Sequence, residues 1–167
     1  MRQLNRDAKI MMEMQAELFE KSVEKTKTSS EVFVRRFMNS SVAREFDSSA
    51  ILDDTKSYSA IFSEIEEEYG ESSYGSLKYN KDVMYWCGYL YRYFSYVYEL
   101  SSKQVYKYLP LKYVSSTFES FHTLDVKAAI DRLLEAKGID LSKDSLIRKG
   151  VNYLKEHSYN AQLAKNI

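Results

Sequence analysis

The sequence predicts an all-α fold, a single-domain bundle of about six helices around a tyrosine-rich central helix. Three observations carry this expectation. Apolar residues recur at helical spacing in one segment after another, five Gly and one Pro leave little material for tight β turns, and capping residues stand at the segment edges. The centre lies in residues 79–121, which hold ten of the 15 tyrosines (79, 85, 89, 91, 93, 96, 98, 106, 108 and 113) and the sole Trp, Cys and Pro. The chain divides into an N-terminal amphipathic helix (1–27), a helical core (28–158) and a tail (159–167).

Residues 3–26 read as the first helix, with Leu4, Ala8, Met11, Met12, Leu18 and Phe19 near one face. Gln15 interrupts that stripe. The segment is either a core helix or an arm whose adaptable methionines, Met11 and Met12, dock on a partner or on a second copy of the chain. Thr28, Ser29 and Ser30 before Glu31 then open a helix expected to run unbroken over residues 31–46. Arg35, Arg36 and Arg44 make a small basic patch on it, read as a solvated face. Residues 47–57 are polar and rich in turn formers, a break or lid between helices.

A third helix spans residues 57–69, with Tyr58, Ile61, Phe62, Ile65 and Tyr69 inward and Gly70 placed to end it. Its four glutamates, Glu64, Glu66, Glu67 and Glu68, point in different directions on a helix and read as a solvated acidic face. The glycine-containing loop after it has no phosphate-binding pattern and suggests flexibility.

The central helix begins after Asn80, a suitable N-cap. Val83, Trp86, Cys87, Leu90, Phe94 and Val97 form one apolar stripe, beside a second made of Tyr85, Tyr89, Arg92, Tyr96 and Glu99. A third sector holds Met84, Gly88, Tyr91, Ser95 and Tyr98, so no face is plainly solvent-like. Enclosure by neighbours predicts a core helix, and the tyrosine wall offers an interface on whatever part stays open. Arg92 has no other basic residue between Lys81 and Lys103. If enclosed, it needs a partner such as Glu99 or an acid of residues 64–68, because an unpaired buried charge is very costly. Gly88 and Ser95, two turns apart, permit close approach of another helix.

Ser101 and Ser102 offer a stop and a new cap, and Pro110 splits residues 100–114 into a short helix, a turn and another short helix. The segment around Ser102 to Leu109 faintly resembles the start of a helix-turn-helix unit but lacks the small residue of its turn. Residues 123–138 form the cleanest helix, capped by Thr123 or Asp125, with Ala129, Ile130, Leu133 and Leu134 inward and Gly138 left-handed at its end. His122 stands where an imidazole reaches the helix end or a tyrosine. A last helix is expected over residues 142–157.

The charges cancel, 24 basic against 24 acidic, which removes the usual footprint of a nucleic-acid binder. One cysteine and no apolar leader-like run predict a reducing, cytoplasmic setting, and no apolar run approaches a membrane span. Cys87 lies in the apolar stripe, and His122 and His157 fall in no metal or catalytic pattern. No catalytic residue, metal site or cofactor is therefore expected.

The runs SSEVFVRRFMNSSVAREFD, IEEEYGESSYG, YWCGYLYRYFSYVYELSSKQVY and FHTLDVKAAIDRLLEAKG resemble an abundant family of small helical proteins of anaerobic Gram-positive bacteria. Genes of that family lie beside those of an ADP-ribosyltransferase-like toxin and a small companion protein. The resemblance covers residues 29–138 and implies a place in a toxin-antitoxin-type module; it carries over no catalytic residue. With the residues themselves, it leads to the expectation of a protein-binding component that neutralises or regulates a toxin by contact. Tyr85, Tyr89, Arg92, Tyr96, Met11 and Met12 are its candidate anchors, and a homo-oligomer is a further expectation. The alternatives are a small-molecule or nucleotide-binding enzyme with a Tyr/Arg-lined pocket, and a DNA-binding regulator.

Overall fold

A computed structural model describes residues 2–48 and 56–142, together with Gly150. All regular structure among these residues is helical: α1 (Arg6–Lys25), α2 (Ser30–Asn39), α3 (Ser41–Asp47), α4 (Tyr58–Tyr69), α5 (Lys81–Tyr98), α6 (Ser102–Tyr108), α7 (Leu111–Ser116), α8 (Phe118–Phe121) and α9 (Val126–Ala136). Nine helices among the described residues thus replace the six or so expected. The last helix and tail expected from the sequence, and most of the polar segment at 47–57, lie outside them.

The higher count has local causes. Ser40 divides the helix expected over residues 31–46, its Oγ donating to Phe37 O at 2.7 Å and accepting from Ala43 N at 3.1 Å. One side chain therefore closes α2 and caps α3, while Ser40 itself is extended (ψ 167) and fully buried. Replacing Ser40 by alanine removes both bonds, and the expected cost is about 0.5–2 kcal/mol, read as a lower denaturation midpoint. Pro110 separates α6 from α7, and Thr117 separates α7 from α8. The cap expected at the Ser101–Ser102 pair is Ser101, and it forms a capping box, with Gln104 reaching back to the Ser101 amide.

Contacts divide the chain into two units, Met1–Leu133 and Leu134–Ile167. In the first, α1 and α5 form the most extensive helix pair and run antiparallel. Arg2 N donates to Val97 O at 2.9 Å near one end, Gln15 Nε2 to Gly88 O at 3.1 Å in the middle, and Lys81 pairs with Glu24 at the other. A Cβ built on Gly88 would stand 2.7 Å from Gln15 O and 2.8 Å from Ala16 Cα, so the missing side chain sets the spacing of the pair. The segment weighed as an arm is thus packed as a core helix. Beside it, Phe19 meets Phe33, Phe37 and Tyr91 edge-on at 5.8, 5.2 and 6.3 Å, and Phe37 meets Phe46 at 5.7 Å. Each such pair adds about 0.5–1.5 kcal/mol to simple burial.

The loop over residues 70–80 is pinned rather than loose. Its carbonyls at Tyr74 and Leu77 accept from Ser29 N and Ser30 N, and Lys78 Nζ donates to Ser22 O, Thr26 O and Thr26 Oγ1 at 3.4, 2.8 and 2.9 Å. A lysine thereby satisfies carbonyls at the C-terminus of α1, where positive charge is favoured.

The acidic face of α4 is also partly engaged. Lys56 bridges Glu45 and Glu64 at 2.8 and 2.7 Å, and Glu68 accepts from Ser41 N and Oγ at 2.8 and 2.7 Å. Those bonds from Ser41 hold the Glu68 carboxyl below its ordinary value. A depressed carboxyl stabilises the fold above its unfolded pKa and ceases to do so as pH falls through the lower folded value. Wild type should therefore melt higher than Glu68→Ala at pH 7, and the gap should narrow as pH falls below the carboxyl's ordinary value and through its lower folded one.

In the second unit, the helix end is closed by Gly138 (φ 62) as the sequence predicted. Gly138 N donates to Glu135 O and Ile139 N to Leu134 O, the paired bonds of a Schellman ending.

Candidate protein-binding surface

Two faces of α5 are enclosed and one remains open. Trp86, Cys87, Leu90, Phe94 and Val97 of the predicted stripe are buried, with Met84, Gly88, Tyr91, Arg92 and Ser95 beside them. Tyr85 is 37 % exposed, and Tyr89 and Tyr93 are half-buried. These three stand at i, i+4 and i+8, one above another on the helix.

The six candidate anchors do not come together. Tyr85 and Tyr89 share the open face. Met12 is fully buried and Met11 half-buried, so the first helix offers no pair of methionine anchors. Arg92 is 3 % exposed and belongs to the core. Its Nη1 pairs with Asp47 Oδ1 at 2.9 Å, its Nε donates to Gln15 Oε1 at 2.9 Å, and its Nη2 donates to Ser102 Oγ. Neither Glu99 nor an acid of α4 serves as its partner: Asp47, at the end of α3, does. Asp47 also accepts from Ser102 N at 2.8 Å, at the amino end of α6. Tyr96, one turn beyond Tyr93, is covered by the guanidinium of Arg2 at 4.5 Å.

Hydroxyl partners sort the tyrosines further. Tyr58 donates to Glu17, Tyr79 to Glu31, Tyr91 to Leu109 O, Tyr98 to Asp131 and Tyr113 to Leu133 O. The hydroxyls of Tyr85, Tyr89 and Tyr93 have no hydrogen-bond partner among the described residues. Tyr93 is absent from the predicted anchors because the second stripe runs through Arg92 instead. Four residues on from Tyr89, the same spacing reaches it.

Carboxylates act on all three phenols, and Lys127 acts on Tyr93 in the opposite sense. Burial first, then Glu13, Glu17 and Glu20 of α1, push the Tyr85 phenol above its ordinary value. Tyr89 is raised by burial and then by Glu13, and Tyr93 by burial and then by Asp125 at the start of α9. The rings are therefore neutral hydrogen-bonding groups at physiological pH, set in an acidic frame. This frame was not legible in the sequence, because it comes from helices packed on either side of α5.

Cys87 and His122 are held within the fold. Burial pushes the Cys87 thiol up and keeps it protonated. His122 shares Nδ1 with Phe118 O at 2.8 Å and stacks on the Phe118 ring at 4.5 Å, so it binds the helix end and no tyrosine. A cleft of about 330 Å³ is lined by Arg2, Asp47, Arg92, Ser95 and Tyr96, the tyrosine- and arginine-bearing cleft considered from the sequence. Its floor is the Arg92–Asp47 pair, already bonded within the chain. No helix among the described residues is long and apolar enough to cross a membrane. No family model, curated protein or solved structure matches the chain.

Proposed function

We propose that the chain acts by binding a protein partner through the open face of α5. The observation that carries this reading is the row of Tyr85, Tyr89 and Tyr93, whose rings are partly exposed and whose hydroxyls have no hydrogen-bond partner among the described residues. Tyrosine supplies contact area at low conformational-entropy cost and is frequent among residues that dominate binding energy. The resemblance of residues 29–138 supports a toxin of a toxin-antitoxin-type module as the partner, held inactive by a surface laid over its active cleft. The setting is cytoplasmic in this reading.

Purification of the tagged chain from its host, wild type against Tyr85→Ala/Tyr89→Ala, tests it. The double variant should stay folded by circular dichroism and bind its co-purifying protein at least about 30-fold more weakly, the loss expected of truncated hot spots. Tyr74→Ala, in an exposed loop position, should bind as wild type. Unchanged binding by the double variant, or equal weakening by Tyr74→Ala, rejects the assignment of this face. A chain purified without any protein, whose melting temperature rises with a small molecule, would favour the cleft at Arg92 and Tyr96 instead.

A further inference from the structure

We infer that the partner segment received by the Tyr85, Tyr89 and Tyr93 row is basic and presents arginine side chains. This inference rests on the reading that the open face of α5 binds protein.

Three of the other partly exposed tyrosines carry a cation over the ring. Lys21 lies over Tyr58 at 4.8 Å, Arg36 over Tyr69 at 5.7 Å, and Arg2 over Tyr96 at 4.5 Å. Tyr58 and Tyr69 each also stand beside a carboxylate, Glu17 and Glu68 respectively. Ring, acid and covering cation thus occur together at Tyr58 and at Tyr69. The row on α5 has the rings and the acids but no covering cation among the described residues.

Three lysines of α1, α5 and α9 are already paired, while Arg6, Lys9 and Lys25 of α1 form no ion pair among the described residues and lie over no ring of the row. Lys21 is engaged by Glu17 and Tyr58, Lys81 by Glu24, and Lys127 by Asp131. Glu13 and Glu20 form no ion pair among the described residues. An incoming cation would meet an aromatic face and an available carboxylate at once. Arginine suits this better than lysine, because its planar guanidinium stacks on a ring while its N–H fork bonds a carboxylate or phenol oxygen. The same acids repel phosphate, so neither nucleic acid nor an anionic membrane is the occupant.

The probes are nonapeptides of arginine, lysine and glutamate, titrated into the full chain at low salt and followed by amide chemical shifts. Nona-arginine should shift residues 85–93 and 13–20 and bind at least about fivefold tighter than nona-lysine, the gain expected of ring stacking. Glu13→Gln/Glu20→Gln and Tyr89→Ser should each weaken it severalfold, whereas Glu66→Gln/Glu67→Gln on the exposed side of α4 should not. Equal binding of nona-lysine overturns the arginine assignment. Shifts centred on α4, no saturable binding, or self-association of the chain abolished by Tyr89→Ser overturn the site or its occupant. If Tyr85→Ala/Tyr89→Ala abolishes capture of the native partner while nona-arginine does not bind, protein binding stands and the basic partner fails. If nona-arginine binds the row and capture is indifferent to the tyrosines, the row takes arginine but the proposed function fails.

Discussion

Asp47→Ala lowers the unfolding free energy by about 3–5 kcal/mol, the cost of stranding a buried charge. The guanidinium it would strand is that of Arg92, 3 % exposed, with Asp47 as its ionic partner at 2.9 Å. Burial already pulls the Arg92 pKa below its ordinary value, with Asp47 opposing that shift. The same substitution removes the acceptor for Ser102 Oγ at 2.7 Å and for Ser102 N at 2.8 Å. Pairing Asp47→Ala with Arg92→Met removes the stranded charge, and the double variant should recover much of the loss. Chemical denaturation of the two single and the double variants measures this. A loss below about 1 kcal/mol for Asp47→Ala, the range of an exposed pair, would show that water already reaches the guanidinium.

Gly88→Val should cost about 2–3 kcal/mol, near the upper end for overpacking. The atoms its Cβ would meet are backbone atoms of α1, Gln15 O at 2.7 Å and Ala16 Cα at 2.8 Å, so no rotamer change relieves the clash. The helices must separate, and Gln15 then loses both its bond to Gly88 O and its seat on Arg92 Nε. Valine's helix propensity, better than glycine's, offsets only a small part of this. Gly70→Ala is the control: φ is 78 there, yet nothing stands within 4 Å of the added Cβ, so only local strain of about 1 kcal/mol is expected. Equal midpoints for Gly88→Val and wild type would mean that α1 and α5 are not held at this spacing.

Much of the helical order was legible because spacing and caps are local. Asn80, Ser101, Asp125, Gly70 and Gly138 all cap or end helices where the sequence placed them. Helix number was less legible, since Ser40 lies within an otherwise continuous apolar pattern and breaks it only because both its bonds form. Gln15 read as a flaw in the first apolar stripe. It is instead the residue through which α1 bonds to Arg92 and Gly88 across the core. Asp47 was assigned to a loop, and no local signal joins it to an arginine 45 positions away. On the candidate surface, Tyr85 and Tyr89 followed from periodicity, but separating them from Arg92 and Met12 needed knowledge of which neighbour covers which side.

The pairing of α1 with α5 has a cost in time during synthesis. Gln15 waits for Gly88, 73 residues later, and for Arg92, 77 residues later. At typical elongation rates, the apolar side of α1 is without its seat for roughly 4–15 s after it is made. Helical proteins usually fold through near neighbours in sequence and fold fast; this one closes its principal helix pair across half its length. A nascent chain of this design therefore carries the α5-facing side of α1 uncovered until the tyrosine-rich helix emerges, and its first and central helices become stable together.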